Sequence, residues 1–152
     1  MVSIIQLKIE INCDIHRAFD LFTIDSLLES WLTKKAEVHL EVGGKYELFW
    51  EPENREINST IGCKITGFEK NKYIAFEWKG PVQFQPFMNS SDPLTHVIVF
   101  FSPKRDDPAR TIIHLFHTGW GKGDKWQQAR DYFDKAWSLA LKDLQTNEEK
   151  DL

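Results

Sequence analysis

The chain has only two cysteines, Cys13 and Cys63, far apart and in no C-x-x-C pair. Neither a disulfide framework nor a cysteine-built zinc site is expected from that spacing. No run of Lys and Arg is present and the formal net charge is −4, which argues against a nucleic-acid partner. No apolar stretch reaches the ~18 residues of a membrane-spanning helix, so membrane insertion is not expected. The opening MVSIIQLKIEIN alternates instead of forming an apolar block, so no secretory leader is read there. The default is a cytoplasmic protein. The motifs of nucleotide and hydrolase chemistry are missing too. There is no GxxxxGK[ST], no G-x-G-x-x-G in a βαβ setting, and no G-x-S-x-G.

Aromatic residues, by contrast, are plentiful: 13% of the chain, with 11 Phe and 6 Trp. Such side chains serve a core and an apolar pocket equally well. A length of 152 residues suits one domain, residues 1–152 with a core of about 4–146.

Ile5, Leu7, Ile9, Ile11 and Cys13 alternate with polar residues, the period of a half-buried strand. Asp14 then reads as the cap of a short helix carrying Ala18, Phe19 and Phe22. Asp25 or Ser26 reads as the cap of a second, with Leu27, Leu28, Trp31 and Leu32. Alternation resumes over Ala36, Val38, Leu40 and Val42, turns at Gly43-Gly44, and continues through Tyr46, Leu48 and Trp50. Further strands are expected at 60–68, 73–79, 94–102 and 111–118, with PKRDDPAR as a hairpin connection. The segment GPVQFQPFMNSSDP, residues 80–93, reads either as a lid or as a loop that tucks its own aromatics onto the core.

From Lys122 to about Thr146 the period becomes helical. Trp126, Ala129, Phe133, Trp137, Ala140, Leu141 and Leu144 form one apolar stripe, and the tail NEEKDL is expected to fray. Successive hairpins imply an antiparallel sheet, and the last helix is the one element long enough to cover it. The fold class is therefore α+β, a helix-grip arrangement with two short helices after the first strand.

Five stretches resemble one family when taken in order: FDLFTIDSLLESWL, EVGGKYELFW, IGCKITGFEKNKYIAFEW, TIIHLFHTGW and AWSLALKDL. It is the family of homologues of the activator of the 90 kDa heat-shock protein ATPase, within the START-like (SRPBCC) superfamily. Two positions depart from the family pattern: Ile15-His16 stands where Pro is frequent, and Ala136 where Gly often precedes the late Trp. The resemblance implies the birch-pollen-allergen-like fold and an apolar cavity between sheet and helix. It also implies a chaperone as partner. The eukaryotic co-chaperone carries a separate amino-terminal domain before this module, and no such domain stands in this sequence. Ligand binding is therefore placed ahead of chaperone stimulation.

The inward parity sets give the candidate ligand-binding residues: Leu48, Trp50, Ile65, Phe76, Trp78, Val97, Val99, Ile113, Leu115, His117, Phe133 and Trp137. The partner they imply is a hydrophobic small molecule. His117 is the polar outlier on that wall. It reads first as a structural residue bonded to a neighbour, and second as the acid or base of a cyclase, dehydratase or hydrolase. Tyr46 and Trp50 read as polar edges of a pocket or as packing. His114-x-x-His117 has metal-like spacing, yet an odd separation on a strand sends the two rings to opposite faces, so no metal is expected. No cofactor is expected either. The glycines of GWGKGDKW read as a hinge into the last helix rather than a phosphate cradle. Finally, His96, Ile98, Phe100, Ile112, His114 and Phe116 share the outer face of two adjacent strands, which predicts self-association as a homodimer.

Overall fold

In the computed structural model, which describes residues 3–150, the first period of two becomes strand β1, Ile5–Ile11. Asp14 caps helix α1, Ile15–Leu21, its Oδ1 accepting from the Arg17 backbone N–H at 3.0 Å. Helix α2, Asp25–Leu28, is capped otherwise than the sequence suggests. Ile24 stands at its N-cap, while Asp25 Oδ1 accepts from the Val38 N–H at 2.8 Å and so ties the helix to the next strand.

Strands β2 (Lys35–Val38) and β3 (Tyr46–Phe49) pair as a two-stranded ribbon. The expected alternation to Val42 stops at Val38, because the chain turns through Glu41 N–H to His39 O and Gly44 N–H to Glu41 O, leaving Val42 exposed. Strand β4 is Ile65–Glu69 rather than 60–68. Thr60 explains the late start: its hydroxyl accepts from Leu48 N–H at 2.9 Å and donates to Tyr46 O at 3.0 Å, replacing a ladder rung with side-chain bonds. Gly62 follows at φ +85°, outside the strand region.

After β5 (Tyr73–Trp78) the expected loop contains a short helix, α3, Gln85–Met88. The hairpin of β6 (Thr95–Lys104) and β7 (Asp107–Thr118) is longer than expected. Pairing runs to Lys104↔Asp107, so most of PKRDDPAR is strand and only Arg105-Asp106 turns. The last helix, α4, is Asp124–Lys150.

The larger sheet has the order β1-β7-β6-β5-β4, antiparallel throughout. The ribbon joins its β4 edge through the Lys45↔Lys64 bridge and the Tyr46 N–H to Cys63 O bond. Helix α4 lies against β1, held there by Arg130 to the Ser3 carbonyl at 3.1 Å and Gln145 to the Glu10 carbonyl at 2.8 Å. The apolar contacts outweigh these polar ties: burying Phe133, Trp137, Leu141 and Leu144 contributes ~1.5–3 kcal/mol each, against ~0.5–1.5 for a hydrogen bond to a backbone carbonyl. The tail expected to fray is partly anchored. Glu148 is buried and takes a two-pronged bond from Arg17, at 2.8 and 3.2 Å, and Glu149 pairs with Arg110 at 2.7 Å. The expected fraying of Asp151 and Leu152 lies outside the described residues.

Candidate functional site: a cleft between the last helix and the sheet rim

Because α4 is pinned toward β1, at one edge of the sheet, space remains on its other side, near β5 and the end of the ribbon. A cleft of about 440 Å³ opens there. Phe133, Ala136, Trp137 and Ala140 form its helical wall; they recur three or four apart and so share one face. Opposite stand Trp50 at the end of β3 and Trp78 at the end of β5, with Lys79, Asn58 and Ser59 at the rim. Ala136 and Ala140 matter by being small, since a longer side chain at either would fill the gap. The Ala136 that departs from the family pattern is thus a cleft residue.

Of the twelve candidate binding residues, Trp50, Trp78, Phe133 and Trp137 meet in this cleft. The other eight do not border it. Leu48, Ile65, Phe76, Val97, Val99, Ile113 and Leu115 are packed into the core, and Phe76 stacks on Tyr46 with ring centroids 3.8 Å apart. Tyr46 is no pocket edge. Its hydroxyl donates to the Phe22 carbonyl at 2.7 Å, and burial pushes its pKa up. These side chains belong to the core cluster, and the cleft lies toward the rim. Leu32, Asn58, Ser59, Lys79, Ala136 and Tyr132 escaped the sequence reading. For Ala136 and Tyr132 a signal existed, since they flank Phe133 and Trp137 on the helix. The rim residues sit in turns, where no periodicity marks a facing.

His117 is fully buried behind Trp137, and its bonds fix its tautomer. The indole N–H of Trp137 donates to His117 Nδ1 at 3.1 Å, so Nδ1 is the unprotonated nitrogen. Nε2–H then donates to Thr95 Oγ1 at 3.0 Å, which is in turn 3.5 Å from the Trp78 carbonyl. Burial, with a smaller contribution from His96, takes the His117 pKa down to about 3. A neutral ring with both nitrogens engaged leaves none for a substrate. What His117 does is hold the Trp137 indole in the cleft wall. His114 lies on the other face of β7, 4.3 Å from the Phe116 ring centroid, so the H-x-x-H pair does not converge. Burial also pushes both thiols up to about 12, which leaves Cys13 and Cys63 protonated and poor nucleophiles.

The indole nitrogens of the three cleft tryptophans differ. Trp50 Nε1–H donates to the Leu32 carbonyl at 3.0 Å and Trp137 Nε1–H to His117. Trp78 is 3% exposed, has Trp137 at 5.0 Å and Trp50 at 6.0 Å between ring centroids, and its buried Nε1–H has no partner among the described residues.

The segment 80–93 closes one end. Phe84 packs edge-on against Tyr132 at 5.2 Å and Phe87 against Trp126 at 5.1 Å, so its aromatics seat on α4. The glycine stretch ahead of α4 is shaped by contact. Gly119 sits at φ +89°, and a Cβ on Gly121 would fall 2.4 Å from the Trp126 indole nitrogen. Those are the needs of a packed hinge.

An antiparallel sheet gripping a long C-terminal helix, with two short helices after the first strand, is the START-like helix-grip fold. Solved structures carry the same fold. The Aha1 dimer from Colwellia psychrerythraea matches with a TM-score of 0.72 at 16% identity, covering 97% of each chain. Protein MLL2253 from Mesorhizobium loti gives 0.71 at 15% identity and 95% coverage of each. PFC0360w, an HSP90 activator from Plasmodium falciparum, gives 0.69 at 23% identity, covering 90% of this chain and 89% of its own. No curated protein sequence matches. The chain belongs to the Activator of Hsp90 ATPase homolog 1-like family, whose model matches residues 12–147. Among the described residues no helix is long and apolar enough to cross a membrane.

Proposed function

We propose that this protein binds a hydrophobic small molecule in the cleft between α4 and the rim of the sheet. The carrying observation is the cleft itself. Its volume falls within the ~300–1,000 Å³ usual for small-molecule sites, and aromatic faces line it on two sides. Replacing Ala140 with Phe fills the space from the helix without touching the core. The expected result is that apolar aromatic ligands raise the melting temperature of the native protein and not of Ala140→Phe. Equal shifts in both proteins, or none in either, would remove the reading. Native mass spectrometry of protein purified from its own source would supply the ligand's mass.

A second reading rests on the family, which supports a module acting on the 90 kDa chaperone. One similar structure, from Plasmodium falciparum, is described as an HSP90 activator. Its test is separate: chaperone ATPase turnover with and without this protein, a flat rate ruling it out. We also propose self-association through the outer face of the sheet. Ile98 pairs with Phe116 and Phe100 with His114 there, Tyr73 adds a third strand, and Phe100 is 45% exposed. One structure of like fold is described as a dimer.

A further inference from the structure

The geometry points to the class of ligand: an apolar acid, whose carboxylate accepts a hydrogen bond from Trp78 Nε1–H and is balanced by Lys79. This rests on the ligand reading of the cleft and narrows it. An indole nitrogen can only donate, so whatever completes Trp78 must be an acceptor. Buried donors are almost always paired, and an unpaired one in a native protein calls for a specific cause. Among the described residues three buried side-chain polar atoms lack partners, and of these only Trp78 Nε1 belongs to a cleft residue.

Asn58 and Ser59, two other polar residues of the cleft, are already committed within the protein. Asn58 Oδ1 accepts from Val82 N–H at 2.8 Å and Asn58 Nδ2 donates to Glu51. Ser59 Oγ donates to the Arg55 carbonyl at 2.5 Å. The other two cleft indoles are satisfied as described. Among the described residues of the cleft, the buried donor left unpaired is thus Trp78 Nε1–H.

Charge gives the second, independent indication. The protein is net negative, yet among the described residues no Asp or Glu lines the cleft and Lys79 is its one cation. Lys79 Nζ donates to the Ile61 carbonyl at 2.6 Å, which uses one of its three N–H bonds and holds the ammonium in place. A carboxylate uses both a neutral donor and a nearby cation, and charge-assisted bonds of this kind are roughly twice as strong as neutral ones. Phe133, Trp137, Ala136 and Ala140 offer the remainder of the ligand nothing but apolar surface.

The test uses three probes of one shape with the intact protein: naphthaleneacetate, its methyl ester, and ethylnaphthalene. Affinities are measured by calorimetry, and the indole N–H signals are followed by NMR in ¹⁵N-labelled protein, with Trp78→Phe assigning the Trp78 peak. We expect naphthaleneacetate to bind roughly tenfold or more tightly than ethylnaphthalene. The Trp78 indole proton should move downfield, and Lys79→Met should abolish most of the preference for the acid over the ester. Equal affinity for all three probes with an unmoved Trp78 signal would overturn the acid assignment and leave the cleft a general apolar site. Ester and acid binding alike, both tighter than the hydrocarbon, would keep the Trp78 acceptor and overturn the role of Lys79. Binding of none of them would overturn the ligand reading itself.

Discussion

His117 shows how one buried ring sets a pH dependence. Its ordinary pKa near 6.5 falls to about 3 in the folded protein, so below pH 6.5 the unfolded chain takes up a proton that the native state refuses. Stability is therefore fully present above pH 6.5 and is lost as pH falls toward 3, by up to ~1.4 kcal/mol per pH unit from this residue. His96, whose pKa burial also lowers, adds to the same window. In urea titrations His117→Phe should start lower at pH 8, because Trp137 and Thr95 lose their partner, by ~1–3 kcal/mol. Between pH 6.5 and 5 it should fall less steeply than the native protein; parallel curves would show that His117 is not the source. Gly121 is a steric case at the same scale. Gly121→Ala places a methyl against the Trp126 indole, which is itself packed on Phe87, and should cost ~1–3 kcal/mol of unfolding free energy. An unchanged melting temperature would mean that the indole swings aside freely.

At the scale of elements, α4 is fixed at both ends by contacts distant in sequence. Near its start Arg130 holds the Ser3 and Ile4 carbonyls just ahead of β1; near its end Glu148, buried, grips Arg17 of α1. Glu148→Gln keeps the shape and drops the charge, so it should lower stability by about 1 kcal/mol. It should also speed amide exchange in residues 144–149 while leaving the first turns of α4 unchanged. Uniform exchange along the helix would show that the end is held by Leu141 and Leu144 alone. The strands were legible from their period of two, and α4 from its stripe. Their ends were not, because Thr60, Asp25 and Glu148 set boundaries by bonding to residues far along the chain.

For the whole molecule the question is what meets the apolar outer face of β6 and β7. A stable dimer through this face predicts a dimeric mass by light scattering at micromolar concentration, and Phe100→Glu should return a monomer with its fold intact. A monomeric native protein would refute the interface. The same face illustrates how far sequence reasoning reaches. Parity placed His96, Ile98 and Phe100 opposite Val97, Val99 and Phe101, and the structure keeps that division. It could not tell a core from a pocket, since both require apolar side chains at the same parity. Leu115 and Trp78 look alike by that rule, yet one is packed and the other walls a cleft.

The amino-acid sequence alone determined the order of the strands, the antiparallel pairing, the gripping helix and the family resemblance, because these follow from local periodicity and short motifs, but not the short α3. Tertiary structure decided where space is left. That depends on α4 being drawn toward β1 by Arg130 and Gln145, on Ala136 and Ala140 facing Trp50 and Trp78, and on which indole is left without an acceptor. Each is a relation between residues distant in the chain, fixed only when the elements pack.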